Sequence, residues 1–234
     1  MLGRVYTAVP AAGSGVRMGL GYSKAYAEVG GRPLLALTLG ALLASPHIDE
    51  AVVAVRPGEE VLCRREVVEA HGFGGRVRVL AGGDQRQDTV SHLLDAAPAD
   101  RDLVLIHDGA RPMVTVGLIH EVLVAAARWG AAIAALPIPD TVKESTDGGT
   151  TVSRTLERSA LYLAQTPQAF HRDLITTAHR RARKEGWNAT DDASLLEQMG
   201  HEVRIVLGDG KNVKVTTLDD LELVRLIVQS NWPT

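Results

Sequence analysis

Short runs of β-branched and other apolar residues alternate along this chain with stretches whose apolar residues recur at helical spacing. That rhythm constrains the fold more than any other feature. Strand-like runs fall at 5–9, 51–55, 77–80, 103–106 and 131–136, and helical patterns occupy 34–44, 59–71, 88–96 and 116–129 between them. Strand then helix, repeated, implies an α/β fold, a mostly parallel twisted sheet with helices on both faces. Ligands of such sheets bind beyond the carboxyl ends of the strands, so chemistry is expected in the loops that follow them.

After residue 136 the rhythm breaks. Pro137 to Lys143 reads as extended, Asp147-Gly148-Gly149 as a turn and 150–156 as extended again, which predicts a projecting β-hairpin arm at about 137–158. A two-stranded hairpin is marginal alone in water, so the arm is expected to pack on a second subunit; the alternative is a hairpin folded back on its own domain. A helix at 174–184 and strands at 202–207 and 213–216 follow, and a last helix opens at Thr217 with Asp220 three positions on, as in a capping box. No repeat or linker divides residues 1–234, so one domain carrying an arm is expected.

Composition excludes several classes. The 234 residues suffice for a core without disulfides or metals, and a net charge of −3 gives no bulk attraction to nucleic acid or membrane. Cys63 is the sole cysteine, which rules out an intramolecular disulfide and a cysteine-ligated zinc. Residues 1–4 lack a signal-peptide pattern, and the longest apolar stretch, around 131–138, is too short to cross a bilayer, so a cytoplasmic protein is expected. The eight histidines show neither zinc spacing nor a triad, and His107 is read as structural.

The loop after the first strand, Pro10-Ala11-Ala12-Gly13-Ser14-Gly15-Val16-Arg17-Met18-Gly19, lets backbone amides approach phosphate oxygens. It is not a P-loop, because Ser23 precedes Lys24 and Ala25 follows it. A dinucleotide fingerprint fails too: Met18 stands at the third glycine, and Arg56-Pro57 replaces the acidic residue after the second strand. What remains is a glycine loop with its own cations, Arg17 and Lys24, suited to the charge that builds on a phosphorus under in-line attack. The alternative is a surface turn with two solvated cations.

Three further groups carry polar chemistry. Gly82-Gly83-Asp84 with Arg86 and Thr89 opens a helix, where amides favour an anion and Asp84 and Thr89 could bond a base edge; a loop with Asp88 as N-cap is the plainer reading. His107-Asp108-Gly109-Ala110-Arg111-Pro112 closes the fourth strand, placing Asp108 to ligate Mg²⁺ and Arg111 to reach a phosphate, or the two to form a structural ion pair. Arg158, Gln165-Thr166-Pro167-Gln168, Thr190-Asp191-Asp192 and Asn212-Val213-Lys214 complete the set, although Lys214 between two valines also fits a solvent-facing position.

In this order the segments resemble the 2-C-methyl-D-erythritol 4-phosphate cytidylyltransferases of non-mevalonate isoprenoid synthesis, from Val9 to about Leu221. The resemblance implies a Rossmann-like nucleotidyltransferase fold, a homodimer with embracing arms, and Mg²⁺-dependent reaction of CTP with a small polyol phosphate. It also implies that Arg17 and Lys24 stabilise the pentacoordinate α-phosphate, while Arg158 and Lys214 position the attacking phosphate. Asp108, Arg111, Thr141, Thr166 and Thr190 would line the acceptor pocket, partly across the dimer. Ala11, Ala12, Gly83, Asp84 and Thr89 would read cytidine, with Gly13, Gly15 and Arg86 completing the nucleotide loops. Ser23 replaces a usual Pro, Thr89 a common Ser, Gly109 a frequent Ala and Lys211 an acidic residue, none of them a charge assigned to chemistry. Rival readings are transfer to another polyol phosphate such as ribitol 5-phosphate, and a nucleotide-binding module without turnover.

Overall fold

The first strand, β1 (Val5–Pro10), alternates its side chains between two separate cores, Val5 and Val9 in one and Tyr6 and Ala8 in the other. A strand covered on both faces reads as an unbroken apolar run, which is why it stands out in the sequence. The computed structural model describes residues 2–13, 15 and 21–230. After β1 come a small hairpin, β2 (Glu28–Val29) and β3 (Arg32–Pro33), then α1 (Leu34–Leu43), β4 (Ala51–Val55) and α2 (Glu60–Cys63). They are followed by β5 (Val77–Ala81), α3 (Arg86–Asp95), β6 (Leu103–Ile106), α4 (Val116–Trp129) and β7 (Ala131–Pro137). The remainder comprises β8 (Lys143–Glu144), β9 (Arg154–Thr155), β10 (Tyr162–His171), α5 (Arg172–Glu185), α6 (Ala193–Gln198), β11 (Arg204–Leu207) and α7 (Leu218–Gln229).

Seven strands form one sheet in the order β11-β7-β10-β6-β1-β4-β5, parallel except for β10. Leu35 and Leu39 of α1 and Ile119 and Val122 of α4 close one face. Val90 and Leu93 of α3, Ile175 of α5 and Leu195 of α6 close the other. The expected α/β architecture with helices on both faces is what the chain adopts. Because β4 and β6 flank β1 on opposite sides, their loops diverge at its carboxyl end and leave a crevice there.

Four local expectations change. Residues 162–171 form a strand that no apolar run announces, because Gln165 to Gln168 interrupt it; the register shifts between Ala164 and Gln168, where Pro167 has no N–H for the ladder. Residues 213–216 form no strand and join no sheet; they bond instead to the β6 loop, Val215 N donating to Ala110 O at 2.9 Å. The helix expected over 59–71 widens into a π-helical stretch at Arg64–Glu69, seen in the Ala70 N to Arg65 O bond of 3.2 Å. Asp88 is not the N-cap of α3 but sits one turn in, its carboxylate accepting from the N-cap Gln85 backbone at 3.2 Å. The α7 capping box is present, Thr217 accepting from Asp220 N at 3.2 Å.

β8 and β9 pair antiparallel, and the turn between them is closed by Asp147, whose Oδ1 accepts from Thr150 N and Thr151 N at 3.1 and 2.9 Å. A third cluster matters most for the site. Val215 with Leu221 and Val224 of α7 packs on Ala27, Val29 and Leu34, which draws the end of the chain onto the segment just after the first loop. No helix among the described residues is long and apolar enough to cross a membrane.

Candidate active site

At the carboxyl end of β1 the diverging loops enclose a cavity of about 500 Å³. The β1 loop contributes Ala11, Ala12, Gly13 and Lys24, and the β5–α3 loop contributes Gly83, Asp84, Arg86 and Thr89. Asp108 enters from the β6 loop and Lys214 from the far end of the chain. Arg56 and Pro57, after β4, also line it, although in the sequence they served only to exclude a dinucleotide site.

Backbone shape makes this approach possible at two glycines. Gly15 has φ +66°, and a Cβ there would stand 3.1 Å from Lys24 N. A Cβ on Gly83 would fall 2.4 Å from Asp88 Cβ. Thr89 locks the same loop, its buried hydroxyl accepting from Gly83 N at 3.1 Å and donating to Gln85 O at 3.0 Å. Thr89 thus shapes the loop, its hydroxyl held by backbone partners of that loop. Lys24 Nζ donates to Val215 O at 2.9 Å, so the first loop, the 212–216 segment and the β6 loop are stitched together.

Asp108 is the electrostatic centre. Arg86 Nε lies 3.1 Å from its Oδ1, Lys214 Nζ 2.7 Å from its Oδ2, and Arg111 Nε 3.9 Å from the same oxygen. Burial alone would raise its pKa, but Arg86 and Lys214 outweigh that and hold the carboxyl well below the usual range. Arg86 also meets Asp192, Nη2 to Oδ2 at 2.7 Å. Burial opposes its charge, and the two facing carboxylates more than restore it. Arg111 is buried and donates to Asn212 O at 2.6 Å; desolvation lowers its pKa without neutralising an arginine. Three cations face two carboxylates, an excess of one positive charge suited to an anion.

Beneath Asp108 runs a hydrogen-bonded chain. Asp108 N donates to Thr166 Oγ1 at 3.0 Å, Thr166 Oγ1 donates to His107 Nδ1 at 3.1 Å, and His107 Nε2 donates to Arg111 O at 3.0 Å. The structural role expected for His107 fits, and the neighbours it holds are now visible. Desolvation drives its pKa down from 6.5 to about 4. The folded state therefore excludes a proton that the unfolded chain binds below pH 6.5, so this contribution is intact above 6.5 and drains away as pH falls toward 4. The loss should be on the order of 3 kcal/mol. Urea midpoints at pH 7 and pH 4.5 should converge in His107→Asn relative to wild type; parallel profiles would contradict this.

Not every expected residue enters the cavity. Thr141 and Arg158 are exposed at the base of the arm, where Arg158 Nη1 donates to Pro139 O at 2.6 Å. Thr190 is exposed in the loop between α5 and α6. Arg17 lies outside the described residues. Asn212, part of the polar set read from the sequence, is a buried support whose Nδ2 donates to Thr166 O at 2.7 Å; the residue that sequence reasoning overlooked is His179, which bonds Asp192 at 3.1 Å. The only signal for His179 is its place on the buried stripe of α5 with Ile175 and Ala182.

Residues 5–230 match the family described as IspD: 2-C-methyl-D-erythritol 4-phosphate cytidylyltransferase. A protein of that name from Desulforamulus reducens is 41% identical over 228 residues, 97% of each chain. Another from Pelotomaculum thermopropionicum is 43% identical over 227 residues, 97% of this chain and 95% of its own. The crystal structure of a 2-C-methyl-D-erythritol 4-phosphate cytidylyltransferase from Thermus thermophilus superposes with a TM-score of 0.79 at 38% identity, covering 97% of this chain and 99% of that one. The fold, the cavity and these likenesses agree, and the chain belongs to the 2-C-methyl-D-erythritol 4-phosphate cytidylyltransferase family.

Proposed function

We propose that this protein transfers the cytidylyl group of CTP to 2-C-methyl-D-erythritol 4-phosphate, giving 4-diphosphocytidyl-2-C-methyl-D-erythritol and pyrophosphate in isoprenoid precursor synthesis. The observation that carries this reading is one cavity holding a glycine loop, Lys24, Lys214, Arg86 and Asp108 together. The acceptor phosphate oxygen is already anionic at neutral pH, so it attacks the α-phosphorus without a strong general base. The new P–O bond forms as the bond to the bridging oxygen breaks, and pyrophosphate leaves. The main obstacle is repulsion between two polyanions. Arg17 and Lys24 at the α-phosphate, and Arg158 and Lys214 at the acceptor, counter it and hold the reacting atoms in line.

Mg²⁺ fits this cavity as an ion carried in by phosphates. The lining carboxylates are Asp84 and Asp108, and no cluster of three or more metal-ligating side chains exists among the described residues. Both oxygens of Asp108 are already paired, so Asp84 would be the more available side chain to hold the ion beside the phosphates. When bound, such an ion would supply positive charge that offsets the triphosphate.

The functional unit we propose is a homodimer formed through the arms. Tyr162, Leu163, Ile205 and Leu207 are exposed apolar residues on the strands beside the arm, as is Val152 within it. Arg158 and Thr141 sit outside their own cavity, which suits delivery to a partner's acceptor pocket. The single cysteine, Cys63, is buried and free, compatible with a reducing cytoplasm. Arg158→Ala should chiefly raise KM for the acceptor; a lower kcat at unchanged KM would move this residue elsewhere. Pyrophosphate release with each of the four nucleoside triphosphates, and with methylerythritol phosphate against ribitol 5-phosphate, tests the reading. Equal or better turnover of the ribitol ester would replace the acceptor proposed here.

A further inference from the structure

We infer that His179, which does not line the cavity, is a positioning residue for acceptor binding, acting through Asp192 on the guanidinium of Arg86. This inference rests on the transfer reaction proposed above.

Ser91, His179 and Asp192 form a chain that is almost wholly buried, with 5%, 3% and 1% exposure. Ser91 Oγ stands 3.2 Å from His179 Nδ1, and His179 Nε2 stands 3.1 Å from Asp192 Oδ1. A carboxylate only accepts, so Nε2 carries the proton toward Asp192, and the Ser91 hydroxyl, which can donate or accept, bonds Nδ1 on the other side of the ring. The other oxygen of Asp192 meets Arg86 Nη2 at 2.7 Å, and Arg86 Nε reaches Asp108 at 3.1 Å. Ser91 and Arg86 both lie on α3, so the chain leaves that helix, crosses α5 and returns to its first turn. Asp192 therefore cannot swing without releasing either His179 or Arg86.

At 2.7 Å the Arg86 guanidinium and the Asp192 carboxylate are in ion-pair contact, so the placement of Asp192 fixes where Arg86 sits. On the opposite oxygen, His179 fixes the direction of that carboxylate. Loss of that bond should be felt at Asp108 rather than at the nucleotide. The nucleotide loop has fastenings of its own, Gly83 N to Thr89 Oγ1 at 3.1 Å and Gln85 N to Asp88 at 3.2 Å. Among the described residues no backbone amide bonds the Asp108 carboxylate, whose placement depends on Arg86 and Lys214, with Arg111 farther off at 3.9 Å.

The test compares His179→Leu, which removes the donor, with His179→Gln, whose side-chain amide can still donate to Asp192. Steady-state pyrophosphate release should show His179→Leu raising KM for methylerythritol phosphate roughly tenfold, the scale of losing a hydrogen bond to a charged group. KM for CTP should stay within about twofold, and His179→Gln should recover most of the acceptor affinity. Melting temperature, measured on the same samples, separates stability from placement. If His179→Leu melts earlier but keeps both KM values, or if both KM values rise together, the inference is wrong. Should His179→Leu fail to fold, Ser91→Ala decides: it weakens the same chain and should move the acceptor KM alone, in the same direction, and an unchanged value overturns the inference. A wild-type protein that releases no pyrophosphate overturns the transfer reading as well, whereas active variants with unshifted KM overturn only the role of His179.

Discussion

Lys24→Ala is expected to lower kcat by roughly 10²-fold or more, the scale of removing one fixed donor from a transition state that accumulates charge. Lys24 follows the glycine loop, lines the cavity and is tied to Val215 O at 2.9 Å, so its ammonium is held in place before any ligand arrives. Pre-organisation of this kind spares the reaction the cost of reorienting a cation as the α-phosphate becomes pentacoordinate. The effect should appear in kcat more than in KM for CTP, since the charge it meets grows during the transfer. Because Lys24 also braces the 212–216 segment, circular dichroism and melting should accompany the kinetics. A folded variant with full kcat would remove Lys24 from the chemistry.

The second large effect is expected at Asp108. Asp108→Asn would leave Arg86, Lys214 and Arg111 converging on a neutral amide. Breaking a fully buried pair by removing one partner is worth about 3–5 kcal/mol. Here Arg86 and Lys214 are 28% and 36% exposed, so water screens part of the repulsion and roughly 2–3 kcal/mol is expected. The pH dependence gives a second readout. A carboxyl held below its ordinary value of 3.8 stabilises the fold above that pH, and the contribution disappears as acid protonates it. Asp108→Asn should therefore be less stable than wild type at pH 7, and the gap should narrow in strong acid. A denaturation midpoint unchanged at pH 7 would mean that the cations find other partners.

The middle of the sheet was legible because β1, β4 and β6 are buried on both faces. Ala51 to Val55 of β4 is wholly buried and wholly apolar, and nothing in the sequence competes with a strand there. β10 was not legible for the opposite reason: Gln165, Thr166 and Gln168 are buried by polar partners, which a hydrophobic pattern cannot register. The same limit applies to the site. The glycine loop and Asp108 could be placed from the strands that precede them. That Lys214 meets Asp108 depends on Val215, Leu221 and Val224 choosing Ala27, Val29 and Leu34 as neighbours, and apolar periodicity marks a buried face without naming its partner. His179 illustrates the point further, since a histidine on a buried stripe looks the same whether it bonds a carboxylate or a backbone carbonyl.

Phosphorus NMR of the purified protein with CTP, Mg²⁺ and methylerythritol phosphate bears most directly on whether this cavity joins two phosphates. As CTP is consumed, pyrophosphate and a new cytidine diphosphate ester should rise in equal amounts. Consumption that yields inorganic phosphate or CMP without the ester, or no consumption at all, would contradict it.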